Sequence, residues 1–528
     1  MSGTLASSAK VSAAILGSRV LGLVREVVFA SLFGAGAVAD AYHVAFRIPN
    51  LLRDLFAEGA LSAAFVPTFT QTLHDDGEER AHALGNLAAS ALLLMTGALV
   101  GLGLLFAEPL VAAISGGFAG DDAKVALAVR LTRIMMPFLC LVSLSAVWMG
   151  MLNARRHFVV PAVAPAMFNV VSLVVGGAVW LRGGTANDGV AIWSAGTLLA
   201  GAFQGLTQLP TLWRLGYRPW PRLGGLFRHP GIRRIARLMA PALVGVAAIQ
   251  INVFVNTKFA GSLGDGAVAQ LTYAFRLFFL PLGMFGVAIA TVTTTGVAEE
   301  AAKGDHDALR RRAATSVSAG WMLTSASAVG LAVLAEPVCT LIYRHGATTA
   351  ADVEAIAWVL RAYVCGLVPY ALVKIVAPAF YAIDRPRVPL LASTSAVVVN
   401  IAFNALTYRT LGPPGIALGT GLGALVNLIV LRISFRRVLG PLPASRRVAH
   451  GSTLLAANVA MGAVVFGGWM VAAPWLEPVS GALGTTALAV ALAVLVGAGF
   501  AVFAAIAGAF GYPGADALWR IPKKILRR

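Results

Sequence analysis

The sequence predicts an all-α polytopic membrane protein of about fourteen transmembrane helices, two six-helix lobes in parallel repeat plus two C-terminal helices. Three observations carry that prediction. Of 528 residues, 58% are hydrophobic and only 12% are charged, about half the charge of an ordinary soluble domain. Apolar runs near the spanning length of about 20 residues recur along the whole chain. The Lys and Arg between them alternate from dense to sparse, loop after loop. A soluble enzyme is excluded, and the 56 Gly and 25 Pro suit close packing and broken helices in lipid.

In chain order the runs fall near 8–33, 38–72 (broken at Pro49), 84–107, 126–150, 159–181 and 189–212. Further runs lie near 236–261, 267–297, 312–335, 353–380, 388–408 and 414–434, and two more near 452–473 and 481–510. Arg80, Arg155, Arg156, the run from Arg214 to Arg237, Arg310–Arg312 and the basic C-terminus all fall on one side. That side holds 27 Lys and Arg; the opposite loops hold 4, namely Lys124, Arg182, Arg344 and Arg409. The imbalance predicts both termini in the cytoplasm and an even number of spans. It also absorbs most of the formal +18 charge, which in a soluble chain would suggest nucleic acid; no nucleic-acid partner is expected. The first run does not read as a cleaved signal peptide, because it carries Arg19, Arg25 and Glu26.

A weak internal repeat organises the runs. Gly34-Ala35-Gly36-Ala37-Val38-Ala39, followed by Ala45-Phe46-Arg47, matches Gly264-Asp265-Gly266-Ala267-Val268-Ala269, followed by Ala274-Phe275-Arg276. The basic turn before Val160-Pro161 matches the one before Val388-Pro389. This divides the chain into an N-terminal lobe at 1–212, a basic cytoplasmic linker at 213–237, a C-terminal lobe at 238–437 and a final segment at 438–528. Whether the linker meets partner proteins or lipid headgroups is open at this level. Cys140, Cys339 and Cys365 lack metal or disulfide spacing and are expected as buried structural thiols.

Ten basic residues remain inside or bordering the spans, among them Arg19, Arg25, Arg47, Arg53, Arg276, Arg361 and Lys374. An ionisable group at that depth costs about 2.5–3.5 kcal/mol on insertion scales, so a cluster requires a polar cavity. Asp40, His43 and Arg47 fall on one stripe of the second helix. Arg19 and Arg25 point apart on a regular helix, unless Gly17 and Gly22 relax it. Guanidinium groups bind phosphate oxygens in pairs and keep their proton, which points to an anion site. Glu26, Asp40 and Glu58 serve either to neutralise neighbouring arginines or to exchange partners during transport. His43 reads as a hydrogen-bonded structural histidine before a proton carrier. Arg361 and Lys374 are equally consistent with snorkelling or a buried pair. No metal-binding or nucleotide motif is present.

Ser18-Arg19-Val20-Leu21-Gly22, Arg25-Glu26, Phe33-Gly34-Ala35-Gly36, Asp40-Ala41 and the stretch from Pro49-Asn50-Leu51-Leu52-Arg53 through Phe56-Ala57-Glu58-Gly59-Ala60 to Pro67 resemble the MurJ (MviN) family. Leu152-Asn153-Ala154, Tyr273-Ala274, Arg276, Gly286-Val287-Ala288 and Lys374 with Ala379-Phe380-Tyr381 extend the resemblance along essentially the whole chain. The family comprises lipid II flippases of bacterial peptidoglycan synthesis, in the multidrug/oligosaccharidyl-lipid/polysaccharide exporter superfamily. The resemblance implies a bacterial inner-membrane transporter, not an enzyme, working by alternating access, with a cationic central cavity and a lipid-tail groove beside the last two helices. It implies that Ser18, Arg19, Arg25, Arg53 and Arg276 contact the substrate diphosphate or sugar, and that Glu26, Asp40, Arg47 and Glu58 line the cavity. Lipid II and membrane lipids are the implied partners, with the peptidoglycan synthesis machinery a further candidate. No cofactor is implied; membrane potential or a coupling cation are the candidate drives. Phe275, Phe279 and Asp54 depart from the family pattern. The alternatives are a flippase for another polyprenyl-diphosphate oligosaccharide, a drug/cation antiporter, or an intramembrane enzyme on lipid-linked sugars. An antiporter would want an acidic cavity, and an enzyme a general base near a large outer loop.

Overall fold

The computed structural model describes residues 2–226, 228–443, 447–476 and 481–515, and among them every regular element is helical. The expected basic tail, with Arg520, Lys523, Lys524, Arg527 and Arg528, lies outside the described residues, as does Arg446.

The first ten helices are α1 (Ser2–Phe33), α2 (Ala37–Arg53), α3 (Ala60–Asp75), α4 (Glu78–Leu105), α5 (Ala107–Ser115), α6 (Asp122–Met135), α7 (Phe138–Ala154), α8 (Val159–Arg182), α9 (Ala186–Leu206) and α10 (Leu209–Arg214). There follow α11 (Pro230–Gly261), α12 (Ala267–Pro281), α13 (Ala288–Ala302), α14 (His306–Val333), α15 (Ala335–Tyr343), α16 (Ala350–Val364), α17 (Leu367–Ala382) and α18 (Arg387–Val438). Two more, α19 (Arg447–Leu476) and α20 (Gly481–Ala509), complete the order.

The weak sequence repeat is a strong structural one. α11 begins 228 residues after α1, and the same spacing relates α13 to α3, α14 to α4, α15 to α5, α16 to α6 and α18 to α8. Fine features repeat as well. The helices α1 and α11 are followed by turns at Gly34 and Gly264, with φ of 68° and 106°, backbone that a side chain would strain. A wide π-type segment separates α2 from α3 at Asp54–Gly59 and α12 from α13 at Leu282–Val287. The α16–α17 pair bends by 43°, and Pro137 marks the corresponding break between α6 and α7.

Several expectations change. The chain runs through Pro49 as helix and widens at Asp54–Gly59 instead, where an extra residue enters the turn. Helix α1 is unbroken across Gly17 and Gly22, so those glycines do not bring Arg19 towards Arg25. The runs near 388–408 and 414–434 remain two helices, as expected: α18 is interrupted at Gly412 (φ 62°, ψ −151°), non-helical backbone ahead of Pro413 and Pro414. Among the described residues, 9 helical segments are long and apolar enough to span a membrane, or 10 with the bent pair. Charge-bearing α1 and the 17-residue α2 fall outside that criterion. Cys339 is buried and Cys140 half-buried, but Cys365 is exposed at the α16–α17 break.

The chain forms two compact units, Met1–Ala269 with His345–Thr348, and Gln270–Arg344 with Thr349–Arg528. In the first, Phe65, Phe69, Leu84, Trp148, Met151 and Tyr217 build a core that also takes Ile232, Ile235 and Met239 of α11. Residues 230–237, expected in the linker, are therefore helical, and α11 packs with the first unit. In the second, Leu309, Phe380, Leu431 and Phe435 form one core. Met461, Val465, Leu492 and Phe503 of α19 and α20 pack with Met322 of α14 in another.

Candidate functional site

Helix α1 carries Ser18, Arg19, Arg25 and Glu26. Arg19 is exposed, on a face shared with Leu16 and Val20. Arg25 is turned inward: its side chain is 16% exposed, its guanidinium lies 3.3 Å from the Glu26 carboxylate and 5.3 Å above the Phe168 ring. Glu26 is buried. The carboxylate and the aromatic face position the guanidinium, with a small part of its fork accessible. The Ser18 carbonyl accepts a 3.1 Å hydrogen bond from Asn169 of α8, which ties α1 to its neighbour at the level of the two arginines.

On α2, His43 is buried against Phe29 and Tyr42, with ring centroids 5.2 and 5.5 Å away. Arg47 is half-buried one helical turn further. Arg53 ends the helix in a forked contact with Asp54, Nη2 to Oδ1 at 2.9 Å and Nε to Oδ1 at 3.3 Å. The other Asp54 oxygen accepts from Gln250 of α11 at 3.1 Å. Asp54, which departs from the family pattern, is thus the partner of Arg53. Glu58 lies on the wide turn that follows, and its side chain falls outside the described residues.

Asp40 is placed apart from these arginines, about 20 Å along α2 from Arg53 at helical rise. It is 0% exposed and takes a 2.8 Å bond from the Lys124 ammonium. It also accepts from the backbone amides of Gly266 and Ala269, each at 2.8 Å. The carboxylate therefore caps the N-terminus of α12, where orphan amides and the helix dipole favour an anion. Lys124 bonds Asp265 as well, at 2.8 Å, and lies 4.5 Å over the Phe118 ring. Asp40 does not line an open cavity, and Lys124, expected in an outer loop, is buried. The signal for Lys124 lay in Asp121-Asp122: Asp121 accepts from the Lys124 amide at 2.9 Å, so Lys124 stands on the first turn of α6. Beside this cluster the connection His345–Thr348 is bonded to the end of α1, Ala347 N to Ser31 O at 2.8 Å and Thr348 Oγ1 to Ala30 O at 2.9 Å.

In the second unit, Arg276 is exposed on α12. Phe275 packs against Phe278 and Tyr363, centroids 5.5 Å away in both cases, and Phe279 is exposed. Arg361 reaches Glu336 at 3.8 Å and covers the Trp358 ring, and Lys374 lies 5.7 Å from the Tyr370 centroid. Among the described residues no group of three or more His, Cys, Asp or Glu is placed to hold a metal ion.

Comparison with known proteins identifies the family. The family model described as lipid II flippase MurJ matches residues 29–502. The lipid II flippase MurJ of Burkholderia cenocepacia is 34% identical over 81% of this chain and 83% of its own. A probable lipid II flippase MurJ of Rhizobium meliloti is 33% identical over 96% and 94%. Among solved structures, a lipid II flippase MurJ in an inward closed conformation superposes with a TM-score of 0.78 at 23% identity, over 95% of this chain and 98% of that one. An inward-facing MATE family multidrug transporter gives 0.67 at 17% identity, over 80% and 94%. Both share the fold. The chain is a multi-pass membrane protein and belongs to the MurJ lipid II flippase family, a family of transporters rather than enzymes.

Proposed function

We propose that this protein moves lipid II from the inner to the outer leaflet of a bacterial cytoplasmic membrane by alternating access. The reading is supported by the family match along nearly the whole chain. The observation that carries it to the site is Arg25, a largely buried guanidinium held between Glu26 and Phe168. Arg19, Arg53 and Arg276 supply further cations, and the fork geometry of arginine suits the diphosphate. Ser18 adds a hydroxyl for the diphosphate or sugar. The headgroup is too polar to cross unaided, whereas the polyprenyl tail stays in lipid, beside α19 and α20.

In this reading both termini face the cytoplasm, which the basic-residue imbalance supports. Membrane potential is the simplest drive, worth about 2.3 kcal/mol per charge per 100 mV. An inside-negative potential pushes the diphosphate outward and draws the emptied cationic site back. A coupling cation is the alternative.

The test is complementation of a flippase-depleted bacterium, paired with an assay for lipid II at the outer leaflet. The parent chain is expected to restore both. Arg25→Glu is expected to abolish both while still reaching the membrane, and Arg25→Lys to retain part. Growth supported by Arg25→Glu would refute the diphosphate role. Restored growth without outer-leaflet lipid II would favour another lipid-linked substrate. Collapse of the potential in sealed cells is expected to slow flipping; an unchanged rate would point to a coupling ion.

A further inference from the structure

The connection between α10 and α11 carries chemistry that the transport site does not use. Residues 206–240 contain 7 Arg and no Lys, Asp or Glu. Arg214, Arg218, Arg222 and Arg228 are exposed. So are three large apolar side chains among them, Trp213, Trp220 and Leu223, at 56%, 75% and 60%.

This connection is pinned to α4. The buried Tyr217 donates its hydroxyl to Asn86 Oδ1 at 2.7 Å, and the Trp220 amide donates to the same oxygen at 3.1 Å. Asn86 Nδ2 donates to the Arg218 carbonyl at 3.2 Å, and the Arg222 amide donates to Ser90 Oγ at 2.9 Å. Apart from the tyrosine, these bonds take only the backbone of the linker. They fix its path while leaving the arginine and tryptophan side chains outward. Asn86 and Ser90 are one turn apart, about 6 Å along α4, where its sequence becomes apolar from Leu87 to Met95 but for Ser90 itself. The linker therefore descends α4 to the level where a spanning helix passes from headgroups into acyl chains.

We propose that residues 213–228 form a binding surface for anionic phospholipid headgroups, with Trp213, Trp220 and Leu223 seated at the acyl boundary and Arg214, Arg218, Arg222 and Arg228 on the phosphates. Topology alone asks for positive charge in a loop, not for a pinned backbone or for two exposed tryptophans among the arginines. Tryptophan belongs at that boundary, and arginine pairs with phosphate oxygens through two donors. The proposal needs this end of α4 to meet a bilayer surface; it is independent of which substrate is flipped.

The test uses the purified full chain in detergent, titrated with phosphatidylglycerol or phosphatidylcholine and read by native mass spectrometry. The parent is expected to bind phosphatidylglycerol in preference. Each arginine near an anionic surface contributes about fivefold, so Arg218→Gln, Arg222→Gln and Arg228→Gln together are expected to weaken that binding about a hundredfold. A control triple on other loops, Arg182→Gln, Arg344→Gln and Arg409→Gln, removes the same charge and is expected to leave binding within twofold. Trp220→Ser with Leu223→Ser is expected to weaken phosphatidylglycerol binding while every charge is kept. Equal loss in the two triples, or none in the linker triple, would overturn the proposal. So would full displacement of lipid by millimolar inorganic phosphate, which would mark a free-phosphate site. A melting temperature within a few degrees of the parent shows that the linker variants are folded.

Discussion

The two copies of the second long helix share a backbone and differ in chemistry. In α2 with α3, and in α12 with α13, a helix starts after a glycine turn, widens at a π-type segment and continues. The first copy carries Asp40, His43, Arg47, Arg53, Asp54 and Glu58; over the matching stretch the second carries Arg276 alone. Where the first has Asp54 and Glu58 the second has Leu282 and Gly286. The shared features are those that polypeptide geometry demands: a left-handed glycine and a wide turn. Charge at membrane depth is costly, so it is retained only where partners exist. Phe168 of α8, Gln250 of α11 and Lys124 of α6 supply such partners in the first unit.

The largest expected break in this comparison is at Asp40. Lys124→Met leaves a buried carboxylate without its cation, and Asp40→Val leaves a buried ammonium with only Asp265. Each should lose about 3–5 kcal/mol of stability. The double variant removes both charges there, as the second copy has uncharged Gln270 at the position that matches Asp40. It should recover much of the loss and stay about 1–3 kcal/mol below the parent, because the Gly266 and Ala269 amides lose their acceptor. Thermal unfolding of the four proteins in detergent checks the cycle. A double variant that melts at or below the worse single would show the ion pair is not a coupled unit.

A smaller effect separates the ends of α1 and α11. The first ends in Phe33, buried against Trp193 with centroids 6.1 Å apart. The corresponding residue of α11 is Gly261, whose missing side chain admits the Ser115 carbonyl. Gly261→Ala should cost about 1–3 kcal/mol by overpacking, measured by the same melts, whereas Gly101→Ala, with open space at its Cβ, should be neutral or better.

The linker that joins the copies is next. Burial pushes the Tyr217 phenol up to about 12, so it stays a donor at neutral pH. Tyr217→Phe should lose about 0.5–1.5 kcal/mol, because Asn86 keeps the Trp220 amide. A larger loss in chemical denaturation would mean that the linker is bound chiefly by this hydroxyl.

Much of this was legible in the sequence. Hydropathy and the Lys/Arg count locate apolar segments, and the glycine turn with its trailing arginine locates the repeat. Of the arginines that composition cannot explain, Arg25, Arg47 and Arg53 are half-buried, whereas Arg19 and Arg276 are exposed. Partners contributed by distant segments were not legible. Lys124 lies 84 residues from Asp40 and Gln250 lies 196 from Asp54, and no periodicity links positions so far apart. The wide turns were missed because Pro49 is the louder local signal, although a helix accommodates proline when neighbouring helices satisfy the freed carbonyl.

The smallest expected effect is at the starts of α4 and α14. The residue before α14 is Asp305, whose carboxylate accepts from the Ala308 amide at 2.8 Å; its counterpart before α4 is Gly77, at φ 85° and without a side-chain cap. The Ala308 hydrogen bond holds the Asp305 carboxyl below its ordinary value. A depressed carboxyl stabilises the fold above its unfolded pKa, about 3.9, and that contribution is lost as pH falls through the folded value. Asp305→Gly makes the second copy like the first at this point. It should lower the melting temperature slightly at pH 7, and the difference from the parent should shrink as the pH is taken below about 4. A gap that persists undiminished in acid would show that Asp305 acts there through backbone conformation and not through its charge.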